Sequence, residues 1–183
     1  MRWISTVSVT PVATSASDRL SLVIGWLLDT NVVAELANPQ GEARVHAWVA
    51  SENERRFYIS ILVLGEYQKG LHNLPLASDV RPRIEAALTA LESRFAGRLL
   101  PVSDPVVRRW GAISGTVKRA TGHSPPVIDT LLAATAIEHD LYLATRNVRD
   151  VKHSGAAVFN PWTDDPAACQ LRTRPVLAGK TRR

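Results

Sequence analysis

Apolar and polar positions alternate in two rhythms along this chain. Short apolar runs stand at 26–28, 57–60, 99–102, 141–144 and 157–159, each too brief for a helix and each predicted to be a buried strand. Between them apolar residues recur every three or four positions. The spacing predicts helices over 31–38, stopped ahead of Pro39, and over 41–52, on Val45, Trp48 and Val49. A third helix is predicted over 61–73, on Ile61, Leu64, Tyr67 and Leu71, and a fourth over 80–95, striped by Ile84, Leu88, Leu91 and Phe95. A fifth over 105–119 is capped by Ser103 or Asp104, and a sixth over 128–138 is built of small residues. Short strands alternating with longer helices specify an α/β layer fold around a short, mostly parallel sheet.

The ends break this rhythm. Residues 1–25 are rich in Ser, Thr and Val without a sustained period, and read as a loose N-terminal extension of the kind a start codon assigned too early would produce. Ser5, Thr6, Ser8, Thr10 and Pro11 interrupt any secretory apolar core. Residues 163–183 lack periodicity and read as a flexible basic tail, leaving 26–162 as one domain. The length of 183 residues suits that division.

Composition narrows the class. With 45% hydrophobic and 21% charged residues the chain is an ordinary globular protein, and no run approaches the ~18–20 apolar residues that span a bilayer. The single cysteine, Cys169, excludes an internal disulfide and points to a reducing compartment, the cytoplasm. The net charge of +5 suggests nucleic acid, but its location weakens that inference. Residues 163–183 carry five basic residues against two acidic, residues 1–25 two against one, and the domain between them is close to neutral. Function has to be read from particular side chains.

The informative ones are acids in apolar surroundings. Asp29 closes the run WLL at the carboxyl end of the first strand, where ligands gather in open α/β sheets; taken alone it reads as a helix N-cap. Glu66 lies in ISILVLGEYQKG, the most apolar stretch, where a carboxylate needs a partner or a cation unless it is exposed and relieved by Lys69. Asp129 opens the small-residue helix behind Pro125 and Pro126, and again an N-cap is the ordinary explanation. Three such acids form a pattern. Carboxylates converging in one crevice repel unless a hard divalent cation stands between them, and Mg²⁺ or Mn²⁺ with oxygen ligands suits phosphodiester hydrolysis.

At this point the sequence resembles the PIN-domain ribonucleases of the VapC toxin type, in their FitB-like branch. The resemblance rests on WLLDTNVVAEL (26–36), ISILVLGEYQKG (59–70), IDTLLAATAIEHDLYLATRNVRD (128–150) and FNPW (159–162), in that order and spacing. It implies a three-layer PIN-like fold and a metal-dependent endoribonuclease. Asp29, Glu66 and Asp129 match the family's metal-ligand acids, and Thr30 and Asn31 fall where the family orients the first of them. Where a fourth acid is common this chain has Asn147, an uncharged amide able to position a ligand water; Asp150, three residues on, ranks behind it. Arg146 is the best-placed phosphate-binding cation, ahead of Arg149 and Lys152. The resemblance further implies a toxin of a type II toxin–antitoxin pair, a homodimer with an RNA substrate, Mg²⁺ or Mn²⁺ as cofactor and a small cognate antitoxin.

Other chemistries fit less well. A PIN-like protein that only binds RNA or a partner is favoured by Asn147 and opposed by the three acids. A haloacid-dehalogenase-type phosphatase needs a second Asp two residues after the first, where Asn31 stands. Gly179-Lys180-Thr181 imitates the end of a P-loop without its earlier glycine, strand or helix. The five histidines show no zinc spacing, and Cys169 has no base beside it.

Overall fold

The computed structural model describes residues 23–171. Five short strands, β1 (Gly25–Leu28), β2 (Phe57–Ser60), β3 (Leu99–Leu100), β4 (Leu141–Ala144) and β5 (Val158–Phe159), form one sheet in the order β3-β2-β1-β4-β5. Every pairing is parallel, so the mostly parallel sheet expected from the sequence is wholly so. Trp26 sits beside Phe57 and Tyr142, Leu28 beside Ile59 and Ala144. Parallel neighbours need crossover connections, which the helices supply: α1 (Thr30–Ala37), α2 (Ala43–Ser51), α3 (Ile61–Asn73), α4 (Arg81–Arg94), α5 (Asp104–Thr121), α6 (Val127–Glu138) and the single turn α7 (Val148–Val151).

Side chains alternate across the strands, so both faces of the sheet are buried. Trp26 and Leu28 point to one face, where α1 to α4 pack Val32, Val45, Trp48, Val63 and Leu88 against them. Trp26, Trp48, Tyr142 and Phe159 stack there with ring centroids 4.9–5.2 Å apart. Leu27, Leu141 and Leu143 point to the other face, under Leu132, Ala133 and Ala136 of α6. The small residues of α6 let it lie close to the sheet while its outer side takes Val106, Ile113 and Val117 of α5. The result is three layers, helix–sheet–helix.

Several expected boundaries move. The domain begins before residue 26, because Val23 is buried and the Ile24 amide donates to the Asp140 carbonyl. It also continues past 162: Arg44 donates to the carbonyls of Thr163 and Asp164, and Cys169 and Leu171 pack on the core. The first part of the expected flexible tail is therefore part of the fold, while 1–22 and 172–183 lie outside the described residues. β3 stops at Leu100 because Pro101 has no N–H to continue the ladder. The turn α7 was not foreseen, since four residues carry no readable period.

Two chain reversals flank α6. Gly122 takes φ 79° at the end of α5, the left-handed conformation glycine tolerates best, and starts the loop leading into α6. Asp140, at φ 52°, turns the chain from α6 into β4.

Candidate active site

Strand order fixes where a crevice opens. From central β1 the chain proceeds to β2 and β3 on one side, then crosses to β4 and β5 on the other, so helices leave β1 and β4 on opposite faces. The gap outside the carboxyl ends of these two strands is the topological switch point at which open α/β sheets bind ligands. Asp29 follows β1 there, and Thr145 follows β4.

Asp29 is both of the things the sequence suggested. It N-caps α1, its Oδ1 accepting from the Thr30 amide at 2.6 Å, and it is a buried acid, 5% exposed. Its Oδ2 accepts from Asn31 Nδ2 and from the Thr145 hydroxyl, each at 2.6 Å. Burial raises its pKa above the ordinary carboxylate value; the Thr145 and Thr30 hydrogen bonds oppose the rise, and the charges of Asp129 and Glu66 add to it. The side chain is thus amply hydrogen-bonded but electrostatically unrelieved.

Glu66 approaches from α3, partly buried beside Val63 and Leu64, and accepts a hydrogen bond from the Thr30 hydroxyl. Its expected relief by Lys69 does not form: the ion pairs among the described residues are Arg94 and Arg98 with Glu54, Arg108 with Asp104, and Arg109 with Glu138. Asp129 is not the N-cap of α6, a position held by Pro126; it lies in the first turn, where the helix dipole favours a negative charge. Its Oδ1 accepts from Asn147 Nδ2 at 3.4 Å. Asp29, Glu66, Asp129 and Asn147 therefore meet around one crevice.

Two other candidates lie elsewhere. The backbone amide of Arg146 donates to Asn31 Oδ1 at 3.3 Å, but its guanidinium rests over the Trp162 ring, 5.0 Å from the centroid. Asp150 is exposed on α7 and lines a different groove, with His123 and His153. Gly179, Lys180 and Thr181 lie outside the described residues.

The residue missed in the sequence is Thr145. Its buried hydroxyl donates to Asp29, accepts from Asn31 Nδ2 at 3.1 Å and from the Asn147 amide at 2.9 Å, and so ties the first acid to the loop carrying the amide. The signal was its position: a polar residue directly after an apolar strand, the counterpart of Asp29. A second unread contact is Trp110 Nε1, donating to the Thr130 hydroxyl at 3.1 Å; that hydroxyl donates to the Pro126 carbonyl at 2.6 Å and pins the start of the helix bearing Asp129.

Among the described residues no three His, Cys, Asp or Glu side chains are drawn together tightly enough to chelate an ion unaided. The donor chemistry nevertheless suits a hard cation that retains waters in its shell. The donors are all oxygen, the central one is buried, and none of the three acids is paired to a Lys or Arg among the described residues.

The profile of the PIN domain matches residues 26–153. Toxin FitB of Neisseria gonorrhoeae is 36% identical over 141 residues, covering 75% of this chain and 99% of its own. A VapC ribonuclease of Sinorhizobium fredii is 30% identical over 140 residues, covering 74% and 96%. The crystal structure of FitAcB from Neisseria gonorrhoeae superposes with a TM-score of 0.67 at 34% identity, over 75% of this chain and 98% of that one. VapBC2 from Rickettsia felis, bound to a promoter DNA fragment, shares the fold with a TM-score of 0.62 at 20% identity, over 75% and 98%. With the profile spanning most of the chain and a relative matched along nearly its whole length, the chain belongs to the PIN-domain family, in the branch of the FitB and VapC toxins.

Proposed function

We propose that this protein is a divalent-metal-dependent endoribonuclease, cutting single-stranded or looped RNA, and the toxin of a type II toxin–antitoxin pair. The observation that carries the reading is Asp29: a buried carboxylate at the switch point of the sheet, its pKa raised first by burial and further by the charges of Asp129 and Glu66, and paired to no Lys or Arg among the described residues. Asp29, Glu66 and Asp129 would hold Mg²⁺ or Mn²⁺, which would supply neutralisation of the scissile phosphate and activation of water. The chain's own groups orient these ligands. Thr145 and Asn31 hold one oxygen of Asp29, the Thr30 amide holds the other, and the Thr30 hydroxyl aims Glu66. Asn147 touches Asp129 through its amide and carries no charge, so a second ion would be held more weakly.

Among the described residues no side chain is placed as a nucleophile. Burial, followed by the nearby acids, pushes the Cys169 thiol up to about 11, and it packs on the core away from the crevice. Attack by water leaves a 5′-phosphate and a 3′-hydroxyl. The relatives' toxin names, and neighbours solved as FitAB and VapBC complexes, support a cognate antitoxin, while a homodimeric assembly rests on the family resemblance alone.

Asn147 in place of an acid favours a second reading, a domain that binds RNA without cutting it. One comparison separates the two: RNA incubated with Mg²⁺ or Mn²⁺, with chelator, and with Asp29→Asn. Cleavage by the wild type alone, and only with metal, is expected, with RNA binding retained by the variant. Equal cleavage by wild type and Asp29→Asn would remove the site from the reaction.

A further inference from the structure

Beside the acidic crevice lies a second concavity of about 430 Å³. One wall is the loop between α5 and α6, with His123, Pro125 and Pro126; the other is α7 and the residues after it, with Arg149, Lys152 and His153. Both walls run straight into the site. Pro126 caps the helix on which Asp129 stands three residues later, about 4.5 Å of axial rise away, and Asn147, which reaches Asp129, caps α7. Neither Arg149 nor Lys152 belongs to an ion pair among the described residues, although both are exposed. Asp150 lines the same groove and reduces its excess to a single positive charge when the histidines are neutral, so the attraction is moderate.

Exposed cations outside any ion pair, set across a groove from flat rings, suit a single strand of nucleic acid: the cations track phosphates, while imidazole and proline faces stack bases without demanding a sequence. Resting on the ribonuclease reading, the geometry points to this groove as the seat of the RNA segment flanking the cleaved bond, with Arg149 and Lys152 binding its phosphates and His123 and His153 its bases. The crevice holds the reacting phosphate; the groove holds the strand that leaves it. Arg149 and Lys152 are therefore positioning residues for longer substrates and take no part in the bond exchange.

The test is the double variant Arg149→Glu/Lys152→Glu, with Arg55→Glu as a control for charge alone, since Arg55 is exposed and lies ahead of β2 at the opposite end of the strands. Cleavage is measured on mixed-sequence RNAs of about 4 and about 16 nucleotides. The double variant should raise KM for the longer RNA by about 10-fold with kcat little changed, and leave the shorter one unaffected. In the Asp29→Asn background it should weaken binding of the longer RNA and flatten its log–log salt dependence by about 1.4, or 0.7 per phosphate contact. An unchanged KM, an equal loss on both lengths, or the same loss in Arg55→Glu would overturn the assignment. If the wild type cuts no RNA yet binding still falls in the double variant, the groove stands and the ribonuclease reading fails.

Discussion

Thr145 shows how much of the site depends on one uncharged atom. Its hydroxyl donates a hydrogen bond to Asp29 and accepts from Asn31 and Asn147, so three residues from two separate parts of the chain share a single oxygen. Thr145→Val keeps the shape and deletes that oxygen, taking the acceptor from the Asn147 backbone N–H and one of two from Asn31 Nδ2, beside a buried carboxylate with one hydrogen bond fewer. The expected cost is about 1–3 kcal/mol of stability and a fall of about 10- to 100-fold in metal-dependent cleavage. Thr145→Ser should restore most of both, which a purely steric role for the methyl group would not allow. Thermal denaturation and initial cleavage rates on the three proteins check this. Asp29, Glu66 and Asp129 were visible in the sequence because a carboxylate in an apolar run is costly and needs a reason. Thr145 was not, because a threonine at a strand end is cheap and common.

Helices and strands were legible wherever their period ran long enough. The expected limits of β2, α3 and β4 coincide with those found, and α1, α2, α4, α5 and α6 shift by only one or two residues at an end. The weak points are the short elements, β3, β5 and α7, whose existence is decided by neighbours rather than by their own residues. β1 depends on such a neighbour as well. A Cβ on Gly25 would collide with the Arg56 carbonyl and press on the Tyr58 ring, because the chain entering β2 passes directly over this position. Gly25→Ala should therefore cost about 1–3 kcal/mol, read as a lower midpoint in urea denaturation with an unchanged slope. Its backbone φ is not the obstacle; the close approach is. No pattern in a single sequence marks such a contact.

For the molecule as a whole, the concentrated acids make stability depend on pH. The Asp29 carboxyl binds its proton more readily folded than unfolded, so its contribution is fully present below its ordinary value of 3.8 and is lost as pH rises through the raised folded value. Without divalent ions, the melting temperature of Asp29→Asn should vary less than that of the wild type across this window. A bound cation favours the charged form, so stabilisation by Mg²⁺ or Mn²⁺ should grow as pH rises and reach about 2.7 kcal/mol when the ion is at about a hundred times its Kd. Melting curves over a pH series, with and without ions, check both signs, and an equal rise in Asp29→Asn would place the ion elsewhere. The near-neutral charge of the domain hides a local separation, with three acids at the switch point and Arg149 and Lys152 in the neighbouring groove.

Apolar periodicity and the expense of isolated acids were enough to determine the layer architecture, the longer helices and the central strands, and to single out three carboxylates as candidates, since burial and desolvation act on each residue locally. Which residues share a hydrogen bond, where the prolines before α6 meet α7, and that the core extends to Val23 and Leu171 depended on contacts between segments up to more than a hundred positions apart. Such contacts come from packing, whose energy belongs to pairs of surfaces and leaves no periodic trace in either one.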